Sequence, residues 1–286
     1  MTAFPVLVQY LLPHRLLSRI VRWATRWTFA PWKNFLIRQI VARYRVDLSE
    51  AKTDDLAAYP NFNAFFTREL KAGARSFDAA PDAILSPSDG RISQSGRIEA
   101  GRLFQAKGHD FSAAELLADE ARADLYRDGS FLTVYLSPRD YHRVHMPLEG
   151  ELVETVHVPG RIFSVAPFAV AAIPRLFARN ERLVCHFEGK DGPFAVVLVG
   201  AMLVSGVATV WDGVAIPPYA SKIARRDCRG RGIRLGRGAE LGRFEMGSTV
   251  IVLVPAALGA FSAGLAAEQS VKVGEPVGRL GTAKIS

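Results

Sequence analysis

Phe131-Leu132-Thr133-Val134-Tyr135-Leu136 runs straight into Ser137-Pro138-Arg139-Asp140-Tyr141-His142-Arg143-Val144-His145-Met146-Pro147. The first six residues have the β-branched, aromatic and leucine content of a strand, and Ser137-Pro138 ends it. Similar runs recur at Leu152 to Val158, Phe194 to Val199, Ala201 to Val210 and Thr249 to Val254, with Gly, Pro and Asp between them. Another strand is entered through the turn Ser86-Pro87-Ser88-Asp89-Gly90. Helical interludes fit Ser112 to Ala123 and, interrupted by Pro174, Phe168 to Ala178. Many short strands joined by turns predict a mainly antiparallel β-sheet catalytic domain over residues 81–286.

Residues 1–80 read differently. Arg15, Arg19, Arg22 and Arg26 recur at steps of four, three and four, which puts them on one narrow helical face. Leu16, Leu17, Ile20, Val21, Trp23, Ala24 and Trp27 fill a broad face beside it. After a break at Pro31, Trp32, Phe35, Leu36 and Ile40 predict a second helix, and Phe62, Phe65, Phe66 and Leu70 a third. No acidic residue occurs before Asp47. Aromatic, arginine-rich amphipathic helices suit a lipid headgroup region, with the apolar face in the acyl boundary and the arginines on anionic lipid. The alternative is a core-packing helix with a solvated basic face. The class is therefore α+β, with N-terminal amphipathic helices as a membrane-associating region ahead of the sheet domain.

The net charge of +8 over 286 residues calls for something anionic nearby, whether nucleic acid, phospholipid or an acidic substrate. Concentration of that charge in apolar helical segments, rather than along an aromatic sheet face, argues against nucleic acid. The basic, Gly-rich stretch from Arg225 to Arg237 reads as a mobile loop, with a headgroup- or phosphate-holding role as a second reading. No basic segment precedes the first apolar residues, and arginines from Arg15 onward interrupt any spanning run, so neither a signal peptide nor a transmembrane helix is expected. Cys185 and Cys228 are expected as buried free thiols.

Three segments carry titratable or nucleophilic groups: the Asp89 turn, the histidine segment at 142–145, and Met246-Gly247-Ser248-Thr249 ahead of a strand. A serine hydroxyl needs a base, and the base an orienting carboxylate; Ser248, His145 and Asp89 supply that set. The Gly-x-Ser-x-Gly elbow of many hydrolases is absent. Two targets remain for an activated Ser248: an external ester, which makes a peripheral membrane serine lipase or esterase, or its own neighbouring carbonyl at Gly247. Glycine permits the geometry that backward attack requires. His142 and His145 lack further Cys or His nearby to complete a metal site, so no metal is expected. His14, His157 and His186 read as structural or surface residues, and His109 as a neighbour of the site.

The segments Ser86–Gly90, Leu136–Pro147, Phe177-Ala-Arg-Asn-Glu-Arg182 and Arg243-Phe-Glu-Met-Gly-Ser-Thr-Val250 together resemble the bacterial, pyruvoyl-dependent phosphatidylserine decarboxylases. Phe62-Asn-Ala-Phe-Phe-Thr-Arg-Glu-Leu70 and Gln105-Ala-Lys-Gly-His109 extend the similarity over nearly the whole chain, in the family's order. The family's cleavage tetrapeptide usually opens with leucine, where this chain has Met246 of similar volume. The resemblance implies self-cleavage between Gly247 and Ser248 into a β chain, 1–247, and an α chain, 248–286. Ser248 would become the covalent pyruvoyl cofactor, Asp89 and His145 would serve the cut, and His142 the decarboxylation. The cofactor would act through an imine with the serine headgroup, converting phosphatidylserine to phosphatidylethanolamine in phospholipid biosynthesis. It further implies a heterodimer of the two chains, with a dimer of heterodimers as the larger assembly. Its place would be peripheral, on the cytoplasmic side of the cell membrane.

Overall fold

The computed structural model describes residues 3–202, 206–219 and 221–281. Helices α1 (Ala3–Leu11), α2 (His14–Arg26), α3 (Ala30–Tyr44) and α4 (Phe62–Phe66) precede the sheets. Pro31 lies in the first turn of α3 instead of breaking the chain, since a missing N–H costs nothing there. Helix α4 is one short turn capped by Asn61 Oδ1, which accepts from Ala64 N at 2.9 Å. It ends before Thr67, earlier than the apolar spacing to Leu70 suggests.

The chain after α4 is built on a nine-stranded antiparallel sheet. Its central strand, Ser248–Val254, pairs with Gly192–Val199 on one side and Ser130–Leu136 on the other. Arg182–Gly189 and Gly150–Val158 extend the first side, and Gly90–Arg97 and Ser270–Val271 the second. The central run is apolar because both faces are covered. Val250, Val252 and Val254 face a core shared with Val144, Val207, Leu241 and Phe244 of a four-stranded sheet. Ile251 and Leu253 face the opposite core, with Phe111, Leu116, Phe163 and Phe177. Each such aliphatic side chain contributes about 1.5–3 kcal/mol on burial. A third, smaller cluster joins Ile37 of α3 to Phe62, Phe65 and Phe66 of α4.

Several elements depart from expectation for identifiable reasons. The interlude from Ser112 splits into Ala113–Leu117 and Glu120–Ala123, because Asp119 caps a fresh helix. The stretch 168–178 becomes two single turns, Pro167–Val170 and Leu176–Arg179, on either side of Pro174. Of the strand expected over 201–210, Val207–Thr209 is strand, while 203–205 lie outside the described residues. The Arg225–Arg237 stretch includes parts of two edge strands, Ala224–Asp227 and Arg234–Leu235, both paired with Gly150–Val158. Most of its arginines are taken up by carboxylates, Arg225 by Asp119, Arg226 and Arg231 by Asp212, Arg229 by Asp227 and Arg234 by Glu151, while Arg237 donates to backbone carbonyls.

Helix α2 exposes the apolar face expected of it, but three of its arginines turn inward to carboxylates instead of outward to anionic headgroups. Arg22 reaches the buried Glu245 carboxylate at 2.6 Å, Arg26 grips the other oxygen, and Arg15 lies 3.5 Å from the buried Glu181. The apolar side is what faces outward: Leu16, Ile20, Trp23 and Trp27 are exposed, joined by Leu7 and Leu11 of α1 and Phe35 of α3. Trp23 is 65% and Leu11 79% exposed. Among the described residues no helix is long and apolar enough to cross a membrane.

Candidate active site

Two connections cross side by side from the large sheet to the four-stranded one. Leu136 pairs with Ser248 in the first, and Arg143 with Arg243 in the second. The loop Ser137–His142 makes one crossing and Glu245–Gly247 the other, so register alone brings the histidine segment against the Gly247–Ser248 bond. Gly90 opens the strand that pairs with Ser130–Leu136, which sets Asp89 at the same end of the sheet. A side chain at Gly90 would drive its Cβ to 2.3 Å from Tyr135 O, so only glycine lets the Asp89 turn close down here. The strand Arg143–His145 is tied to that turn by His145 N donating to Pro87 O at 2.7 Å.

Ser248 is fully buried, and its hydroxyl has no hydrogen-bond partner. Met246 holds φ at +98°, a conformation costing a side-chain-bearing residue on the order of 1–3 kcal/mol. Its side chain packs on the α3–α4 cluster, which anchors the strained turn just before the Gly247–Ser248 peptide.

His142 is sealed from solvent. Its Nδ1 donates to Asp140 O at 2.8 Å, and Phe66 lies against the ring with centroids 4.1 Å apart. That bond fixes the tautomer and leaves a bare lone pair on Nε2, which has no partner. Burial pushes its pKa down to about 3, so the ring is neutral at physiological pH. Asp140 accepts from Ser137 N at 2.7 Å and from Ser137 Oγ at 2.6 Å, and burial raises its pKa.

His145 is held at both nitrogens: Nδ1 donates to Gly238 O at 2.7 Å, and Nε2 accepts from Tyr141 Oη at 3.1 Å. Burial lowers its pKa as well. Asp89 receives Arg75 on both oxygens, at 2.9 Å from Nε to Oδ1, and Val273 N donates to Oδ1 at 2.9 Å. The structure thus gathers Asp89, His142, His145 and Ser248 at one end of the sheet, but no hydrogen bond links Asp89, His145 and Ser248 in series. Beside them opens a cleft of about 370 Å³ lined by Lys71, Arg75, Phe77, Tyr141, Arg143 and His145.

Other expected residues fall elsewhere. His109 belongs to a hairpin whose Leu103 and Phe111 enter the core on the helical side of the sheet. His157 bonds Glu181 at 2.8 Å, while His14 and His186 are buried. Cys185 and Cys228 are buried free thiols. Among the described residues no group of three metal-ligating side chains forms.

A family model described as phosphatidylserine decarboxylase matches residues 62–279 of this chain. The chain belongs to the phosphatidylserine decarboxylase family. A second model, described as PSD, matches residues 4–45. The phosphatidylserine decarboxylase proenzyme of Xanthomonas axonopodis pv. citri (strain 306) is 60% identical over 271 residues, 94% of this chain and 96% of that protein. The proenzyme of Xylella fastidiosa (strain M12) is 56% identical over 272 residues, 95% and 93% of the two chains. In this family member the supporting groups Arg75, Tyr141, Glu245 and Arg68 escaped sequence reasoning. Arg68, Tyr141 and Glu245 lay within the quoted segments 62–70, 136–147 and 243–250, a signal that Arg75 lacked.

Proposed function

We propose that this chain is a self-cleaving decarboxylase of phosphatidylserine. The observation that carries the reading is the buried, unpartnered Ser248 hydroxyl, directly after Gly247 at the start of its strand and two residues past the strained Met246. A hydroxyl that bonds nothing is free to turn toward the preceding carbonyl, and no added atom at Gly247 comes closer than 3.5 Å to a neighbour. Attack by Ser248 Oγ on the Gly247 carbonyl carbon moves the acyl group from nitrogen to oxygen. Elimination then releases the Gly247 carboxylate, and hydrolysis of the resulting imine leaves a pyruvoyl group on the α chain and frees ammonia. His145, neutral because burial lowers its pKa, serves as the base for the hydroxyl proton, and it must give up its Tyr141 bond to do so. Asp89, fixed by Arg75, acts on that imidazole through its charge alone, since Gly238 O holds His145 Nδ1. The relatives' description as proenzymes supports processing.

The pyruvoyl group, once formed, supplies an electron sink for loss of CO2 from the serine headgroup. The chain's own contribution is to exclude water around Ser248 and to hold a proton acceptor at His142 Nε2. The exposed apolar side of α1–α3 supports peripheral seating on a lipid surface, which we place on the cytoplasmic side of the cell membrane as the family resemblance implies. The two chains of one precursor then form a heterodimer. The strand Ser248–Val254 stays locked between its neighbours after the cut, so the α chain remains bound.

Intact mass measurement decides the matter. Purified protein should contain two chains split after residue 247, the smaller blocked by a pyruvoyl, while Ser248→Ala stays whole at about 31.3 kDa and inactive. Working enzyme with an unbroken chain overturns the reading.

A further inference from the structure

Arg68 is 5% exposed, and neither its Nε nor its Nη1 has a hydrogen-bond partner. Its remaining nitrogen donates to Arg139 O at 3.1 Å, within the loop that carries His142. Two residues earlier Phe66 lies against the His142 ring, so a single turn of chain places both the ring and the guanidinium on that loop. The short helix α4 makes this possible, because a helix continuing to Leu70 would set Arg68 about 200° round the axis from Phe66, on the opposite face. Asp89 and Asp140 are close enough to act on Arg68 electrostatically without bonding it. A buried guanidinium with two unsatisfied N–H groups costs several kcal/mol unless an anion completes it. Two further buried atoms, Asn63 Oδ1 on α4 and His142 Nε2 on the loop that Arg68 bonds, also have no hydrogen-bond partner.

We propose that Arg68 is the anion receptor of the substrate headgroup, presenting Nε and Nη1 as a fork to two oxygens of a carboxylate or phosphodiester. A planar guanidinium matches both groups bidentately, which a lysine cannot do. The proposal rests on the phosphatidylserine reading and deepens it. An anion seated there lies on the loop that supplies His142, so one contact fixes the headgroup relative to the proton acceptor.

The test uses processed full-length enzyme, with Arg68→Gln and Arg68→Lys. Two soluble probes, glycerophosphoserine and glycerophosphoethanolamine, are titrated by calorimetry and as competitors of phosphatidylserine turnover. Loss of a charge-assisted fork should weaken headgroup binding by about tenfold to a hundredfold. If the fork holds the carboxylate, Arg68→Gln weakens glycerophosphoserine alone; if it holds the phosphodiester, both probes weaken together. Arg68→Lys should fall between wild type and Gln, because charge survives without the fork. Both probes binding either variant within twofold of wild type overturns the proposal and makes the orphan nitrogens water sites only. Should Arg68→Gln fail to fold or cut, the Lys variant decides by the same criterion. Failure of wild-type protein to cut itself would instead strike the underlying function, so the two outcomes stay separate.

Discussion

Arg22 on helix α2 lies 2.6 Å from the carboxylate of Glu245, a residue 3% exposed and two positions ahead of Gly247. Arg26 completes the clamp on the other oxygen, so helix α2 is bolted to the segment that leads into Gly247 and Ser248. Removing one partner of such a buried pair costs on the order of 3 kcal/mol. Glu245→Gln should therefore slow self-cleavage at least about tenfold, read as the ratio of one-chain to two-chain protein after pulse labelling. Arg15→Gln, which breaks the pairing of the same helix with Glu181, should cut at close to the wild-type rate. Equal slowing by both would mean that only general docking of α2 matters.

Helix α2 also gives a membrane prediction that differs from the one its arginines suggest. Its inward arginines leave Trp23 and Trp27 stacked together on the outside, with ring centroids 5.4 Å apart. Replacing both with serine removes side chains worth about 1.5–3 kcal/mol each when buried in an apolar boundary. Retention on phosphatidylserine vesicles should fall by more than about tenfold, while self-cleavage continues. Unchanged sedimentation with vesicles would place the lipid-facing surface elsewhere.

That contrast shows what the sequence could and could not disclose. Apolar runs such as Thr249–Val254 announce strands covered on both faces, and Gly247-Ser248 with the histidine segment stands out chemically. Periodicity located the basic face of α2 but could not say that Glu245 and Glu181 wait beneath it, because partners more than 150 residues away leave no local trace. The strand Arg182–Gly189 was hidden for a similar reason. Arg182 and His186 break its apolar pattern, and Arg182 is tolerated only because the carbonyls of Leu116, Ala178 and Asn180 accept from it. Likewise the bonds of His145 to Tyr141 and Gly238 depend on tertiary placement, so the sequence could name the residue without its present partners.

Two fully or nearly buried histidines make stability depend on pH in a defined direction. Burial pushes His142 and His186 down to about 3 from the ordinary 6.5. Between those values the unfolded chain binds a proton at each site that the folded chain refuses, so stability falls as pH drops below about 6.5. The slope is about 1.4 kcal/mol per pH unit per histidine. Urea unfolding of the uncut Ser248→Ala chain should lose about 2–3 kcal/mol between pH 7.5 and 5.5, and His186→Gln should remove roughly half of that dependence. A flat profile would mean that these rings are protonated in the folded state.

His142 and His145 should separate when each is replaced, because their surroundings differ. His145 is bonded at both nitrogens on the side of the Asp89 turn, where its strand receives Pro87, whereas His142 keeps Nε2 bare inside the protein. A positioned proton acceptor contributes about 10²–10⁴ in rate. His142→Ala should thus still cut itself, at least in part, but its two-chain form should turn over phosphatidylserine at least about a hundredfold more slowly. His145→Ala should accumulate as one chain. The ring of His142 also fills space against Phe66, so part of the loss in the alanine variant could come from a cavity. His142→Gln separates the causes: it keeps most of the volume yet cannot take a proton, and its turnover should stay as low as that of alanine. Recovery of turnover by glutamine would make His142 a spacer and leave the proton to another group.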